Sequence, residues 1–403
     1  MNIAFRPEDP AFVSDPFPLY RNMQDEDPCH WSPSLKSWVL TRYADIKDVC
    51  LDREMSSDRL RPFFASMAAG DAARIPSIIR YLSEWMVFKD PPDHTRLRRL
   101  AGKVFNVQSM HAMRPAVETI VSWLFERIGE REEIDFVADF AGPLPCLVIM
   151  AMLGVPREDL ARVKRMSDDM ALFIGSSRTS AEKYDTAEAA TREMADYYRD
   201  MIADRRANPR DDALSRLVHL RDGDDAFTDD ELTATLILML FAGHETTTNH
   251  LANGMLALTA FPGEAARLRA DPSLAADAVE ELLRYDGPSG AQVRIAGAPR
   301  TLHGKSIAPG ERIFIMLNAA NRDPRAYPDP DRVDLGRDGV PHLSFGFGTH
   351  ICLGFPLARL EGQVALPAVV ARWSHIERAS DRVEWINSLV FRGMKALPLR
   401  VRQ

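Results

Sequence analysis

Of the four cysteines in the 403-residue chain, Cys352 has the neighbours that would give a thiol chemistry. It lies in Phe345-Gly-Phe-Gly-Thr-His-Ile-Cys-Leu-Gly354, just ahead of the helical pattern Pro356-Leu-Ala-Arg-Leu-Glu361. Glycine opens backbone conformations closed to other residues and lets a flat ligand approach the main chain. A cysteine near a helix N-terminus feels the positive end of the dipole, which favours thiolate. A thiolate held among backbone N–H groups suits ligation of haem iron. The bland alternative is a packed, unreactive thiol beside a turn. Zinc held by His350 and Cys352 fails on ligand count, since a structural site uses about four.

A second stretch interrupts an otherwise apolar helix at Ala242-Gly-His-Glu-Thr-Thr-Thr-Asn249. At helical spacing Leu232, Leu236, Met239, Gly243 and Thr246 share one face, so a glycine and a hydroxyl join a stripe of core residues. Threonines bonding back to carbonyls of the preceding turn are the structural explanation. His244-Glu245 opens like a zinc-protease motif, but the second histidine position holds Thr248, and His250 falls two residues late.

Charged pairs come third. Glu281-Leu-Leu-Arg284 places acid and base three apart on a helix, though Glu280 is also in reach of Arg284. His94-Thr-Arg-Leu-Arg-Arg99 follows Asp90-Pro-Pro-Asp93, whose proline and acid mark a helix start. As a bare pattern this is equally a solvated basic face.

The elements that must carry these residues read as mostly helical. Helical spacing covers Asp159 to Ile174 and Ser180 to Arg206, with a loop at Gly175 to Thr179. Thr228-Asp-Asp-Glu231 is a capping box opening a helix that runs to about Phe261, where Pro262-Gly263 stops it. Strands are expected at Ser37–Leu40, Gln292–Ile295 and Ile313–Leu317, the last after a type II turn at Ala308-Pro-Gly-Glu311. The expected fold class is mainly α with small β-sheets, as a single domain over 1–403. A net charge of −8 disfavours a nucleic-acid partner. No apolar run reaches the roughly 20 residues of a membrane helix, and a secretory signal pattern is missing from the first residues. Four cysteines without a CxxC point to a reducing, cytoplasmic compartment. Cys29, Cys50 and Cys146 are expected to be packed thiols.

Phe345-Gly-x-Gly-x-His-x-Cys-x-Gly354 resembles the cysteine-loop motif of the cytochrome P450 family, matching at each defining position. The resemblance implies the P450 fold, with haem b between the long helix and the cysteine loop and Cys352 as axial iron ligand. It makes Glu245 and Thr246 the acid and alcohol that relay protons to dioxygen, and Gly243 the groove beside them. His94, Arg98, Arg294 and His350 become partners of the haem carboxylates. Glu281 and Arg284 become a structural ion network with Arg332 as third member. Trp85, Phe241, Ala242, Gly243, Gly290, Ala291 and Val390 fall where the family lines its substrate pocket. The implied function is a soluble monooxygenase acting on an apolar small molecule with O2, its electrons coming from a separate ferredoxin and reductase. A peroxygenase or isomerase of the same fold, or a haem sensor without turnover, is the alternative. An intact acid–alcohol pair speaks against both. Arg96, Arg99 and Lys103 are nominated as a basic patch for an acidic donor, and 61–84 with 173–181 as a lid.

Overall fold

The computed structural model describes residues 3–174 and 183–402. The expected loop at Gly175 to Thr179, and most of the second half of the expected lid, lie outside the described residues. The chain divides into two compact units.

One unit comprises Met1–Met55, Val117–Leu144 and Thr246–Gln403. Its main sheet sets Ser37–Leu40 parallel to Arg312–Met316, which pairs antiparallel with Ala291–Ala296 in the register Arg294↔Ile313. Cys29–Ser32 closes the opposite edge as a hairpin with Ser37–Leu40. All three expected strands have the expected bounds within a residue. The third ends at Met316, because Leu317 already opens the helix Leu317–Asn321. Gly310 takes φ +86° and the Glu311 N–H bonds Ala308 O at 3.2 Å, as a type II turn requires. Leu40, Ile46, Val49, Ile313, Ile315 and Leu343 form a core under this sheet. Helices Ala275–Tyr285 and Phe355–Arg372 belong to the same unit.

The other unit, Ser56–Ala116 and Pro145–Glu245, is helical. It holds Asp93–Val104, Pro143–Leu153 (from Pro145), Leu160–Ile174 and Lys183–Ala207. The helix Asp229–Ala260 begins here and passes into the first unit between Glu245 and Thr246. Its start is the expected capping box: Glu231 N–H donates to Thr228 Oγ1 at 3.2 Å, and Thr228 N–H donates to Glu231 Oε2 at 2.9 Å. Pro262 does end it, but as the first residue of the next helix, Pro262–Ala270, where a proline N–H would be surplus anyway.

Candidate active site

The cysteine loop is built on backbone geometry that only glycine adopts cheaply. Gly346 and Gly348 have φ of +70° and +71°. A Cβ at Gly348 would also sit 2.6 Å from Cys50 O, at the end of the helix Tyr43–Leu51. The loop then tightens through Gly348–His350 and returns, with Cys352 N–H donating to Phe345 O at 2.9 Å. Two residues later Gly354 caps the helix Phe355–Arg372. Cys352 is exposed, whereas Cys29, Cys50 and Cys146 are buried. Burial pushes the thiols of Cys29 and Cys146 up to about 12 and raises Cys50 as well. These three are inert packed thiols, as expected.

Arg294 is brought to this loop. It is buried, and donates to Val293 O at 3.0 Å and to Gln292 Oε1 at 3.3 Å. Gln292 in turn covers Gly346, where a Cβ would lie 3.1 Å from Gln292 Nε2. Gln292 was not singled out by sequence; its place between an arginine and a left-handed glycine needs the strand register to be seen.

Glu281 and Arg284 form a buried bidentate pair at 2.7 and 2.8 Å. Glu280 turns away to Arg359, which settles the ambiguity of spacing. The third member needs correction. Arg332 is exposed and contributes its carbonyl, which accepts from Arg284 Nη2 at 3.0 Å. The guanidinium that pairs with Glu281 belongs to Arg337, at 3.1 Å. The physical reason is reach: Arg337 is half-buried and folds back over its own loop, so its side chain also binds the Arg332 carbonyl at 2.9 Å. The network is wired to the cysteine loop. Leu343 N–H donates to Asn321 Oδ1, and Ser344 Oγ donates to Leu283 O on the network's own helix, both at 2.7 Å.

The helix Asp229–Ala260 is buried on every side from Glu231 to Ala257 except at six residues and Leu256. The six are Met239, Ala242, Gly243, Glu245, Thr246 and Thr248, and four of them (239, 242, 243 and 246) share one face. The stripe of core leucines therefore opens where the polar break begins. Carbonyl back-bonding accounts for Thr233, which donates to Asp229 O at 2.8 Å. It does not account for Thr248, whose buried Oγ1 has no partner among the described residues. Gly243 has a packing role as well as an open side: a Cβ there would strike Ile149 Cδ1 at 2.7 Å. The notch expected beside it is thus partly filled by Ile149.

The substrate-pocket nominees separate. Ala242 is exposed, and Gly243 and Val390 are half-buried. Trp85 and Phe241 are buried in an aromatic stack with Phe88, with ring centroids 5.7 and 5.9 Å from Trp85. Gly290 and Ala291 are buried too, Gly290 pressed against Leu389 O, so they shape the strand rather than present a surface.

His94 is buried and Arg98 half-buried, one turn apart on Asp93–Val104. Burial, then the charge of Arg98, lowers His94 to about 4. The basic patch is a correction. Arg96 pairs with Asp225 at 3.1 Å and with Glu231, Arg99 with Asp225 at 2.7 Å and with Asp222, and Lys103 with Asp222. The cations are neutralised by a turn, Asp222 to Asp225, that spacing along the helix does not reveal.

Another group that the sequence reading assigned no role is His250, fully buried between neighbouring helices of its unit. Burial, then the charge of His342, lowers it to about 4, with Glu280 acting the other way. It is neutral in the fold and titrates near 6.5 unfolded, so the stability it contributes is complete above that pH and lost as pH falls toward 4. Urea unfolding is expected to show a deficit of about 3 kcal/mol at the acid end. His250→Leu should flatten that dependence; an unchanged pH slope refutes it.

Among the described residues no cluster of three or more His, Cys, Asp or Glu could hold a metal ion. One accessible sulfur donor on a glycine-shaped loop fits an iron that arrives with its other ligands in a macrocycle. That defines a haem-thiolate class of protein. The chain matches the Cytochrome P450 family model over residues 37–391. It is 34% identical over 406 residues to the polyketide biosynthesis cytochrome P450 PksS of Bacillus subtilis (strain 168), covering 98% of each. It is 36% identical over 370 residues to the 6-deoxyerythronolide B hydroxylase of Saccharopolyspora erythraea, covering 91% of this chain and 90% of that one. The structure of P450BioI in complex with a hexadec-9Z-enoic acid-ligated acyl carrier protein superposes with a TM-score of 0.90 at 30% identity. That match spans 97% of this chain and 99% of the other. The chain belongs to the cytochrome P450 family, has its fold, and is a monooxygenase with a haem-thiolate cofactor. Among the described residues no helix is long and apolar enough to cross a membrane.

Proposed function

We propose that this protein is a cytoplasmic monooxygenase that inserts one atom of O2 into an apolar small molecule, with electrons from a separate ferredoxin-type donor. Residues 1–403 act as one P450 domain, a reading supported by the unbroken family match. The hydroxylase and polyketide names among the relatives, and the acyl group carried in the P450BioI complex, support a polyketide-like or fatty acyl substrate.

The carrying observation is the confined opening on the Asp229–Ala260 helix, where an acid and an alcohol stand side by side in an otherwise buried rod. Haem b, when bound through Cys352, supplies the iron at which O2 is activated, the thiolate pushing electron density toward O–O cleavage. Arg294 and His350, with His94 and Arg98, hold its carboxylates by charge-assisted hydrogen bonds. Met239, Ala242 and Gly243 give the substrate an apolar seat. Glu245 takes up protons, and the Thr246 hydroxyl hands them on to the oxygen being reduced. Aromatic contacts of Phe63 and Phe64 with Phe173 support the 61–84 segment acting as part of a lid.

Thr246→Ala is the test. Oxygen uptake should continue while product per O2 falls by about 10²-fold, the lower end of what a positioned proton donor contributes, and peroxide should replace the missing product. Full coupling in Thr246→Ala would sink the relay.

A further inference from the structure

Phe345 opens the cysteine loop, and its carbonyl accepts the Cys352 N–H at 2.9 Å. Its ring is held as well. The Arg359 guanidinium, on Phe355–Arg372, lies 4.9 Å from the centroid of Phe345 and 4.9 Å from that of Phe355, the two rings being 6.1 Å apart. The His342 ring meets Phe345 at 5.6 Å. A phenyl face is the negative side of the aromatic quadrupole, so a cation resting on it is attracted as well as packed.

Arg359 is fixed in that place by Glu280, on Ala275–Tyr285. Arg359 Nε donates to Glu280 Oε1 at 2.6 Å and Nη2 to Oε2 at 2.7 Å. His342 Nε2 lies 3.3 Å from the same Oε2. Burial raises the Glu280 carboxyl, but His342 and Arg359 bring it down to about 2, so it is ionised at neutral pH. The contacts therefore run without a break from the Glu280 carboxylate through the guanidinium and the Phe345 residue to the Cys352 N–H. The Arg359 and Glu280 side chains are 32% and 41% exposed, and a pair this open to water adds little to stability. A lysine would neutralise Glu280 equally. Only a planar guanidinium holds a carboxylate by two bonds while laying its face on a ring.

We propose that Arg359 is a positioning residue that sets the electrostatic field at the Cys352 sulfur, with Glu280 as the counter-charge that limits it. The proposal rests on the reading of Cys352 as the iron ligand. Taking up one electron from the ferredoxin-type donor leaves the iron–thiolate unit more negative. A cation beside the loop favours that reduced state, and an anion opposes it. Together the two charges largely cancel, with the positive end on the Phe345 side. Apart, each acts in full and with opposite sign. The pair thus governs how readily the first electron is accepted, without touching the substrate or the acid and alcohol of the long helix.

The test is a spectroelectrochemical titration of the holoenzyme at neutral pH and low salt, where partly exposed charges are least screened. Glu280→Gln should move the ferric–ferrous equilibrium about tenfold toward ferrous, the order expected of one unit charge at an effective dielectric of about 20. For a one-electron couple that is about 59 mV upward. Arg359→Gln should move it about tenfold the other way, and the double variant should return to within about twofold of wild type. Arg359→Lys, which keeps the charge, should stay near the wild-type potential. A merely structural pair would shift both single variants in the same direction. Equal signs, or no shift in either, with the red-shifted carbon monoxide band intact, overturn the proposal alone. If the wild type shows no such band, the reading of Cys352 falls and this proposal falls with it. Should Arg359→Gln fail to retain haem, the sign in Glu280→Gln still decides: anything but an upward shift refutes the assignment.

Discussion

Cys352→Ala is expected to abolish the red-shifted Soret band of the reduced, carbon monoxide-treated protein, and with it all turnover with O2. The effect should be complete, because nothing near Cys352 can replace its sulfur. The other three thiols are buried, and burial raises their pKa values, so none offers a thiolate. The backbone should be indifferent to the change. Cys352 contributes its N–H to Phe345 O, which alanine keeps, and the strain of the loop is borne by Gly346 and Gly348. Folding and ligation are therefore separable in this variant. Circular dichroism should be close to wild type while the band is lost. A retained band in Cys352→Ala would mean another iron ligand and would refute the assignment.

Glu281→Gln is expected to have the largest effect on stability. The Glu281 carboxylate receives Arg284 through two bonds, Arg337 through a third and the Asp334 N–H at 2.9 Å. Both side chains of the central pair are about 3–4% exposed. Removing one partner of a buried ion pair typically costs about 3–5 kcal/mol, because the remaining charge stays out of water. Glutamine keeps the shape but turns one acceptor into a donor facing two guanidinium groups. The loss should reach the cysteine loop through Ser344 and Asn321, so haem retention should fall along with the urea midpoint. Arg332→Ala should do far less, since that residue acts through its carbonyl. Equal damage from the two variants would contradict the assignment to Arg337.

What was legible in the sequence was local. Phe345 to Gly354 could be read because each defining position depends on its neighbours: glycines for left-handed turns, cysteine for sulfur. The capping box at Thr228 and Glu231, the strand at Ser37–Leu40 and the turn at Gly310 are likewise set by a few adjacent residues. Choices between distant partners were not legible. Arg332 and Arg337 differ only in how the intervening loop folds back, and Glu280 and Glu281 both lie in reach of Arg284. Asp222 and Asp225 were invisible as partners of Arg96, Arg99 and Lys103 because more than a hundred residues separate them. Gly243 was read as open space, but spacing along one helix cannot show that Ile149 fills part of it.

The pairing of Arg96, Arg99 and Lys103 changes the reach of that helix's charge. Lone cations act as monopoles, with a field felt out to a Debye length of about 8–10 Å. Cations each matched to a carboxylate act as dipoles, whose field decays within a side chain's length. Whatever meets this face from solution is sorted by touch and not by long-range attraction.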